Sequence, residues 1–386
     1  MTHGDDREMV VLTQELLEGN IDRRVFLQRM VALGVSASVA AGLLESLTWS
    51  DAVAAPTESP KRGGTLRIAY TDEIPALDPH KSPSESSIRF FFLIHATLLK
   101  LDTHLKPVGD LAQSFKISNG GLKYTFILRP NLKFSNGWAL TSADVKATFE
   151  RILDPKTVAI ASSFFANIKA IHTPNAHTVV FDLSAPNAAL TAYLTSMNSA
   201  ILPARLLTTG ADVSKINNAI GAGPFKVTQW VPDSFMNLSR NTHFHEAGKP
   251  YVDHVKVTIQ PNASSLLASM RQHSTDFTYS LDAIVGKEAV AAHSLKVMRV
   301  PDLSYYLLFL QTARDPFIKK AARQAVSYAI DRHAIIAAAN LGEGVAVGPV
   351  SAGLSRYALP TSKLPGYKRD VKKAKQLLAQ AGQTQG

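Results

Sequence analysis

From residue 63 onward the chain keeps switching between runs of period two and runs with apolar residues three and four apart, in no fixed alternation. In GLKYTFILR, Leu122, Tyr124, Phe126 and Leu128 alternate with Lys123, Thr125 and Ile127, the pattern of a half-buried strand. Asn-Gly-Gly before it and Pro-Asn after it are turn sequences. Next, Asn136-Gly137 predicts a tight turn, and Thr141 with Asp144 three residues on predicts the start of a helix reaching about Leu153. Val145, Phe149 and Ile152 then share one helix face and belong to a core. Further strands are expected at GTLRIAY, HTVVFDL, GPFKVTQW, HVKVTIQ and DFTYSL, with LSYYLLFLQ a buried one. Helices are expected in SSIRFFFLIHATLLKLD, NAALTAYLTSM, ASSLLASMRQ and KKAARQAVSYAI, and in RHAIIAAANLG behind an Asp331 cap. This irregular mixture excludes a single regular barrel and predicts an α/β fold with mixed sheets. At 386 residues the chain exceeds one ordinary core of about 100–200 residues, so two lobes are expected.

Residues 1–54 read as something other than fold. Arg23 and Arg24 precede Val25, Phe26 and Leu27; the moderately apolar run VALGVSASVAAGLLESL follows, and then Ala52-Val53-Ala54. A basic region, an apolar region and a small-x-small step are the three parts of an export signal. The twin arginine with Phe26 and Leu27 is similar to the signal read by the twin-arginine translocase, although Asp22 and Gln28 stand where that pattern has Ser or Thr and Lys. Glu45 and the small polar residues make a permanent membrane helix the poorer reading. The chain has no cysteine, which leaves no disulfide and no thiol for a lipid anchor after the apolar run. A periplasmic protein, exported and not lipid-anchored, is the expectation.

The net charge is +10, and residues 1–54 hold 4 basic and 8 acidic residues, leaving 37 against 23 beyond them. Such a balance invites a nucleic-acid or membrane reading. Yet acids are interspersed throughout, and the one basic run, KLPGYKRDVKKAK, predicts the solvated face of a helix after Asp370. No nucleic-acid partner is expected, and a monomer is.

GGTLRIAYTDEIPALDPH ends a strand on two adjacent carboxylates, Asp72 and Glu73, before a Pro-punctuated turn carrying Asp78 and His80. Taken alone, the tip could be a catalytic pair, a metal site, an anchor for a cationic ligand or a solvated loop. Its sequence neighbours narrow the field. LAQSFKISNGGLKYTFILRPNLKFSNGWALTSADVKATFERILDP, NAHTVVFDLSAPNAALTAYL, GAGPFKVTQWVPDSFMNLSRNTHFHEAGKPYVDHVKVTIQPNASSLLASMRQHSTDFT and ARQAVSYAIDRHAI follow in an order that closely resembles the family 5 extracellular solute-binding proteins. These are the peptide and nickel-complex receptors of ABC importers, and the resemblance spans roughly residues 60 to 382.

The resemblance implies a two-lobed, periplasmic binding protein type II-like fold that closes on its ligand and delivers it to an inner-membrane permease. It divides the chain into the signal at 1–54, a first lobe at 55–302 with an inserted subdomain at about 105–220, and the start of a second lobe at 303–386. GPFKVTQW and LSYYLLFLQ become candidates for the hinge. Glu73 matches an acidic loop residue facing the ligand cleft, where it would pair with a ligand ammonium, and Asp72 would cap the turn; the bland alternative is that both are solvated. Tyr279, Tyr305 and Tyr306 match aromatic cleft positions, with packing in a core as the alternative, and Phe164 is a further wall candidate. Trp138 and Trp230 read as structural. Three departures stand out: Phe244-His245 replaces an aromatic pair ending in Trp, TARDPFIKKA is less acidic than usual, and the chain stops at KAKQLLAQAGQTQG where the family continues. The second lobe is therefore expected to be incomplete, without the acidic residue that holds peptide amino termini in several members.

Other chemistries find little support. His243, His245 and Glu246 in THFHEAGKP could meet one ion, but no third ligand follows from the spacing and the motif is not H-E-x-x-H. GAGPFK lacks the pattern of a phosphate loop, and Pro224 removes a donor that phosphate would need. There is no G-x-S-x-G, and no cysteine nucleophile. A secreted hydrolase using Asp72 and Glu73 would need carboxylates roughly 5–9 Å apart, which neighbouring residues rarely supply. No cofactor, metal or catalysis is expected. A solute receptor leads, with a nonfunctional or regulatory fragment unable to close on ligand as its rival.

Overall fold

The computed structural model describes residues 12, 21–33, 35, 59–279, 283–292, 294–298, 303–351, 353–354 and 357–383, the side chain of Arg23 excepted. Most of the apolar run at 31–47 and the Ala52-Val53-Ala54 step lie outside the described residues, as do Ser280 and Leu281 of DFTYSL. Two units are distinguished, Lys61–Leu295 and a second drawn from Met1–Pro60 with Lys296–Gly386. No helix among the described residues is long and apolar enough to cross a membrane.

Helix α1 (Arg23–Ala32) opens on the arginine pair. The Asp22 carboxylate caps it, accepting from the Val25 amide at 2.8 Å. Phe26 and Met30 are buried in a small cluster with Leu12 and Val35, Leu27 is half-buried against it, and Arg24 is exposed.

In the unit at 61–295, strand β1 (Thr65–Tyr70) leads through a long loop to helix α2 (Glu85–Ile94). A hairpin of β2 (Leu99–Leu101) and β3 (Pro107–Gly109) follows, then β4 (Ala112–Ser118), β5 (Lys123–Leu128), helix α3 (Ser142–Leu153), the short α4 (Ser162–Phe165), β6 (Ile168–Asn175), β7 (Thr178–Leu183), and the single turns α5 (Leu190–Tyr193) and α6 (Ala204–Thr208). The unit finishes with β8 (Phe225–Val231), β9 (Phe235–Arg240), β10 (His254–Ile259), α7 (Ala263–Arg271), β11 (Phe277–Thr278) and α8 (Ala283–Ala291).

Two larger sheets result. One has the order β11-β1-β10-β9-β8, and the other, order β4-β5-β7-β6, lies wholly within the sequence between β1 and β8. In the first, β1 runs parallel to β10, from Thr65 opposite His254 to Tyr70 opposite Ile259, and parallel to β11. Strands β9 and β8 complete it antiparallel. Its core takes Ile68, Tyr70, Met236, Leu238, Val255 and Val257 from strands and Phe90, Phe91 and Ile94 from α2. The second sheet is antiparallel throughout. On β5 the buried residues are Tyr124, Phe126 and Leu128, the expected alternation. Helix α3 lies over this sheet with the expected capping box at Thr141 and Asp144. Its Phe149 ring meets Phe181 at 4.9 Å and Phe165 at 5.1 Å edge-on, a geometry that suits ring quadrupoles.

Two glycines let the chain pass close against the end of α2. A Cβ on Gly221 would stand 2.0 Å from the Ile94 carbonyl oxygen, and one on Gly223 would stand 2.5 Å from the Ile94 carbonyl carbon. The Gly223 amide donates to the Ile94 carbonyl at 3.1 Å. GAGPFK thus permits close backbone approach at the end of α2. This contact also explains why the helical spacing beginning at Ser86 stops at Ile94, and Leu99–Leu101 pairs as strand. Similarly, the helix expected through NAALTAYLTSM shrinks to α5, because the Ser196 hydroxyl accepts from the Asn198 amide and turns the chain.

In the other unit, α9 (Lys320–Ala329), α10 (Arg332–Asn340) and α11 (Val371–Gln380) are the described helices beyond residue 296. Ala322 and Ala325 on α9, and Ala374 and Leu377 on α11, are the buried positions of these two neighbours. Asp331 caps α10 as expected, and Asp370 caps α11. Lys372, Lys373 and Lys375 are exposed, the solvated face anticipated for the basic run. LSYYLLFLQ, expected as a buried strand, joins no described sheet and is largely exposed, with Phe309 at 85%. Apolar alternation predicts a strand only if a neighbour supplies the ladder, and no described strand does so here.

Candidate solute-binding site

The parallel strands β1, β10 and β11 set the orientation. Ligands of open α/β sheets bind outside the carboxyl ends of the strands. Here that end carries Tyr70, Ile259 and Thr278, and because Phe235 pairs with Thr258 the β8–β9 turn arrives at the same place.

Glu73 follows β1 there and is half-buried, whereas Asp72 is exposed. The Glu73 carboxylate accepts from the Asp233 amide in the β8–β9 turn at 2.8 Å, and the Glu73 carbonyl accepts from Ser86 Oγ at 2.5 Å. Burial pushes its carboxyl up; the amides of Asp233 and Ile74 pull it back, and the Asp233 charge adds to the rise. One oxygen is therefore committed to a neighbouring turn, a tie invisible in the sequence because 160 residues separate the partners.

Tyr279 leaves the end of β11 with its ring 4.1 Å from the centre of the Arg89 guanidinium on α2. Arg89 also bonds Glu85 one turn earlier at 2.7 Å. Tyr70 is buried within electrostatic reach of both, and burial pushes its hydroxyl up while Arg89 pulls it down. Phe164 lies instead on α4, stacked on Tyr193 of α5 at 4.7 Å. Tyr305 and Tyr306 lie in the other unit, where Tyr305 donates to the Pro349 carbonyl at 3.1 Å and Tyr306 is 94% exposed. Trp138 is half-buried beneath Arg205, and Trp230 packs against the five-stranded core.

The loop between β1 and α2 also carries a buried polar clasp that the motifs did not signal. Arg151 on α3 grips Asp78 through two bonds, of 3.1 and 2.6 Å, and donates to His80 Nδ1 at 2.6 Å. His80 Nε2 must then carry the proton and donate to the Ala200 carbonyl at 2.9 Å. Burial holds His80 down at about 4, Arg151 adding to the drop and Ala200 and Asp78 opposing it. Burial likewise holds His95 at about 3, and neither of its ring nitrogens meets a partner among the described residues. Asp78 is lowered despite its burial, because Arg151 and His80 favour its charge.

The third ligand missing from THFHEAGKP is Asp110, which with His245 and Glu246 brings ligand atoms within 4.8 Å of one another; His243 is not part of the group. The ammonium of Lys100 already lies among them, bonded to Glu246 and 3.9 Å from Asp110. Burial pushes Glu246 up, but Lys100 and Lys249 outweigh it and hold the carboxyl at about 2. The chain supplies this site's cation itself.

A mixed sheet interrupted in sequence by an antiparallel sheet, with charged loops at its parallel strand ends, is the architecture of a type II-like periplasmic binding protein. The model of the bacterial extracellular solute-binding proteins, family 5 Middle, matches residues 106–386, and the chain belongs to that family. The oligopeptide-binding protein AppA of Bacillus subtilis (strain 168) is 28% identical over 330 residues, which cover 84% of this chain and 60% of AppA. The structure of that AppA in complex with a nonapeptide matches with a TM-score of 0.73 and 27% identity, over 84% of this chain and 65% of AppA. The structure of AgaA from A. tumefacien R10 in complex with agropinic acid matches with a TM-score of 0.70 and 30% identity, over 84% of this chain and 65% of AgaA. The chain thus spans between 60% and 65% of the length of these proteins.

Proposed function

We propose that the chain captures peptides or a related solute with a cationic head and delivers it to an inner-membrane ABC permease, performing no chemistry of its own. Glu73 carries this reading. Its half-buried carboxylate sits at the ligand end of the parallel strands, with a charge that burial leaves incompletely compensated, so an incoming ammonium gains more there than at a solvated acid. In calorimetry with tri-alanine, Glu73→Gln should weaken binding roughly 10- to 100-fold, the effect of losing one charge-assisted bond. The substitution keeps an acceptor for the Asp233 amide, so the fold is retained. N-acetylated tri-alanine should bind wild type and variant alike; unchanged affinity of the variant for free tri-alanine would refute the anchor.

The division into a first lobe at 55–302 with its subdomain and a second lobe beginning at 303 belongs to the same proposal, as do a monomeric state and the cleft roles of Tyr279, Tyr305, Tyr306 and Phe164. The sheet nested between β1 and β8 supports the subdomain. We assign residues 1–54 as a twin-arginine export signal, supported by Arg23 and Arg24 ahead of Phe26 and Leu27. Changing both arginines to lysine should leave the protein in the cytoplasm on fractionation, and undiminished export would overturn the assignment.

A further inference from the structure

The turn between β8 and β9 is built on a residue in the left-handed region. The Ser234 amide closes it onto the Val231 carbonyl at 3.2 Å, with Pro232 and Asp233 between them. Asp233 has φ +56. Of the two common turns with proline second, one keeps the third residue at negative φ and the other takes it to positive φ. They differ by a half-turn of the peptide that joins the two residues, so the third residue's amide points to opposite sides in the two forms. Positive φ at Asp233 and an amide that reaches the Glu73 carboxylate at 2.8 Å are therefore a single choice of turn. Aspartate tolerates that backbone, and the Ile259 amide, donating to the Ser234 carbonyl at 2.8 Å, ties the turn to the end of β10. The side chain of Asp233 acts in the opposite sense to its amide, since its charge adds to the rise of the Glu73 carboxyl.

We propose that Asp233 is the positioning residue of the Glu73 anchor, its left-handed turn aiming the amide that fixes the direction of the carboxylate. A carboxylate already held gives up less freedom when a cationic head arrives, which is the gain of preorganisation. The assignment rests on the receptor reading above and deepens it: the anchor is Glu73 together with a turn 160 residues away.

Three variants of the full chain test this. Asp233→Gly suits the same backbone and removes only the side chain. Asp233→Val opposes it, because a β-branched residue is strained at positive φ, and Asp233→Ala, a milder opponent, takes its place if the valine variant does not fold. In carbon-13 spectra of chain labelled at its glutamate carboxyls, the Glu73 signal is identified by its loss in Glu73→Gln. Its titration midpoint should fall below wild type in Asp233→Gly, which loses a like charge and keeps the amide, and should lie higher in Asp233→Val than in Asp233→Gly, because the amide is lost as well. A merely structural turn would leave the glycine and valine variants with one midpoint, and that result overturns the proposal. In calorimetry, tri-alanine should bind Asp233→Val roughly 3- to 10-fold more weakly than Asp233→Gly, with N-acetylated tri-alanine binding the two alike. Equal affinity of the two variants for tri-alanine also overturns it. Separate midpoints with no heat from tri-alanine in wild type support the positioning of Glu73 and overturn the peptide reading.

Discussion

Acidification from pH 7 to pH 4 should remove up to about 6 kcal/mol from the stability of the unit at 61–295, enough to unfold a domain of ordinary stability. The cause is the pair of buried imidazoles. His80 is held at about 4 and His95 at about 3, against 6.5 for a solvated imidazole. Between pH 6.5 and those values the unfolded chain binds protons that the folded chain refuses. Stability is therefore fully present above 6.5 and declines as pH falls, by about 1.4 kcal/mol per pH unit for each group. Protonating His80 at Nδ1 would also set a positive charge against Arg151, which now donates to that atom. Asp78, with a lowered carboxyl, adds a loss of the same sign at still lower pH. Urea titrations at a series of pH values check this, and His95→Leu, of similar volume, should remove about half of the slope. A stability unchanged between pH 7 and pH 5 would show that both imidazoles charge freely in the fold.

Arg151→Met should destabilise the same unit by about 3–5 kcal/mol, the cost of leaving a buried charge without its partner. Asp78 is 6% exposed at its side chain, and its two bonds from Arg151 are the ones lost. Arg151 also satisfies His80 Nδ1, so the substitution orphans a second buried acceptor. Without Arg151, the Asp78 charge should raise His80, and the acid slope of the variant should become shallower. Asp78→Asn combined with Arg151→Met should be milder than Arg151→Met alone, because the uncompensated charge is gone. Denaturant midpoints for the single and double variants measure this coupling. Equal loss in both would mean that the pair holds the β1–α2 loop by packing and not by charge.

Local patterns were legible where one element satisfies its own backbone and buries one face. The helix at Ser142–Leu153, its Thr141–Asp144 cap and the alternation of Lys123–Leu128 are of this kind. FMNLSR is not expected as a strand because only Met236 and Leu238 carry its alternation, too short a run to stand out, yet it pairs on both sides as β9. LSYYLLFLQ shows the reverse, since strong apolar patterning without a described neighbour makes no ladder. The positions of Glu73 after β1 and of Tyr279 at the end of β11 were readable, but the packing of Tyr279 on Arg89 was not. The place of Arg89 in SSIRFFFLIH looks like any polar position on an amphipathic helix.

By itself the sequence determined the fold class, the family motifs and most strands and helices, because propensity, capping and periodicity act within a few residues of chain. Only the tertiary structure decided which side chains share a site. Asp78 and Arg151 meet across 73 residues, Glu73 and Asp233 across 160, and Asp110 and His245 across 135. Burial then decides the chemistry of such groups, since it raises the cost of an uncompensated charge and makes each distant partner count.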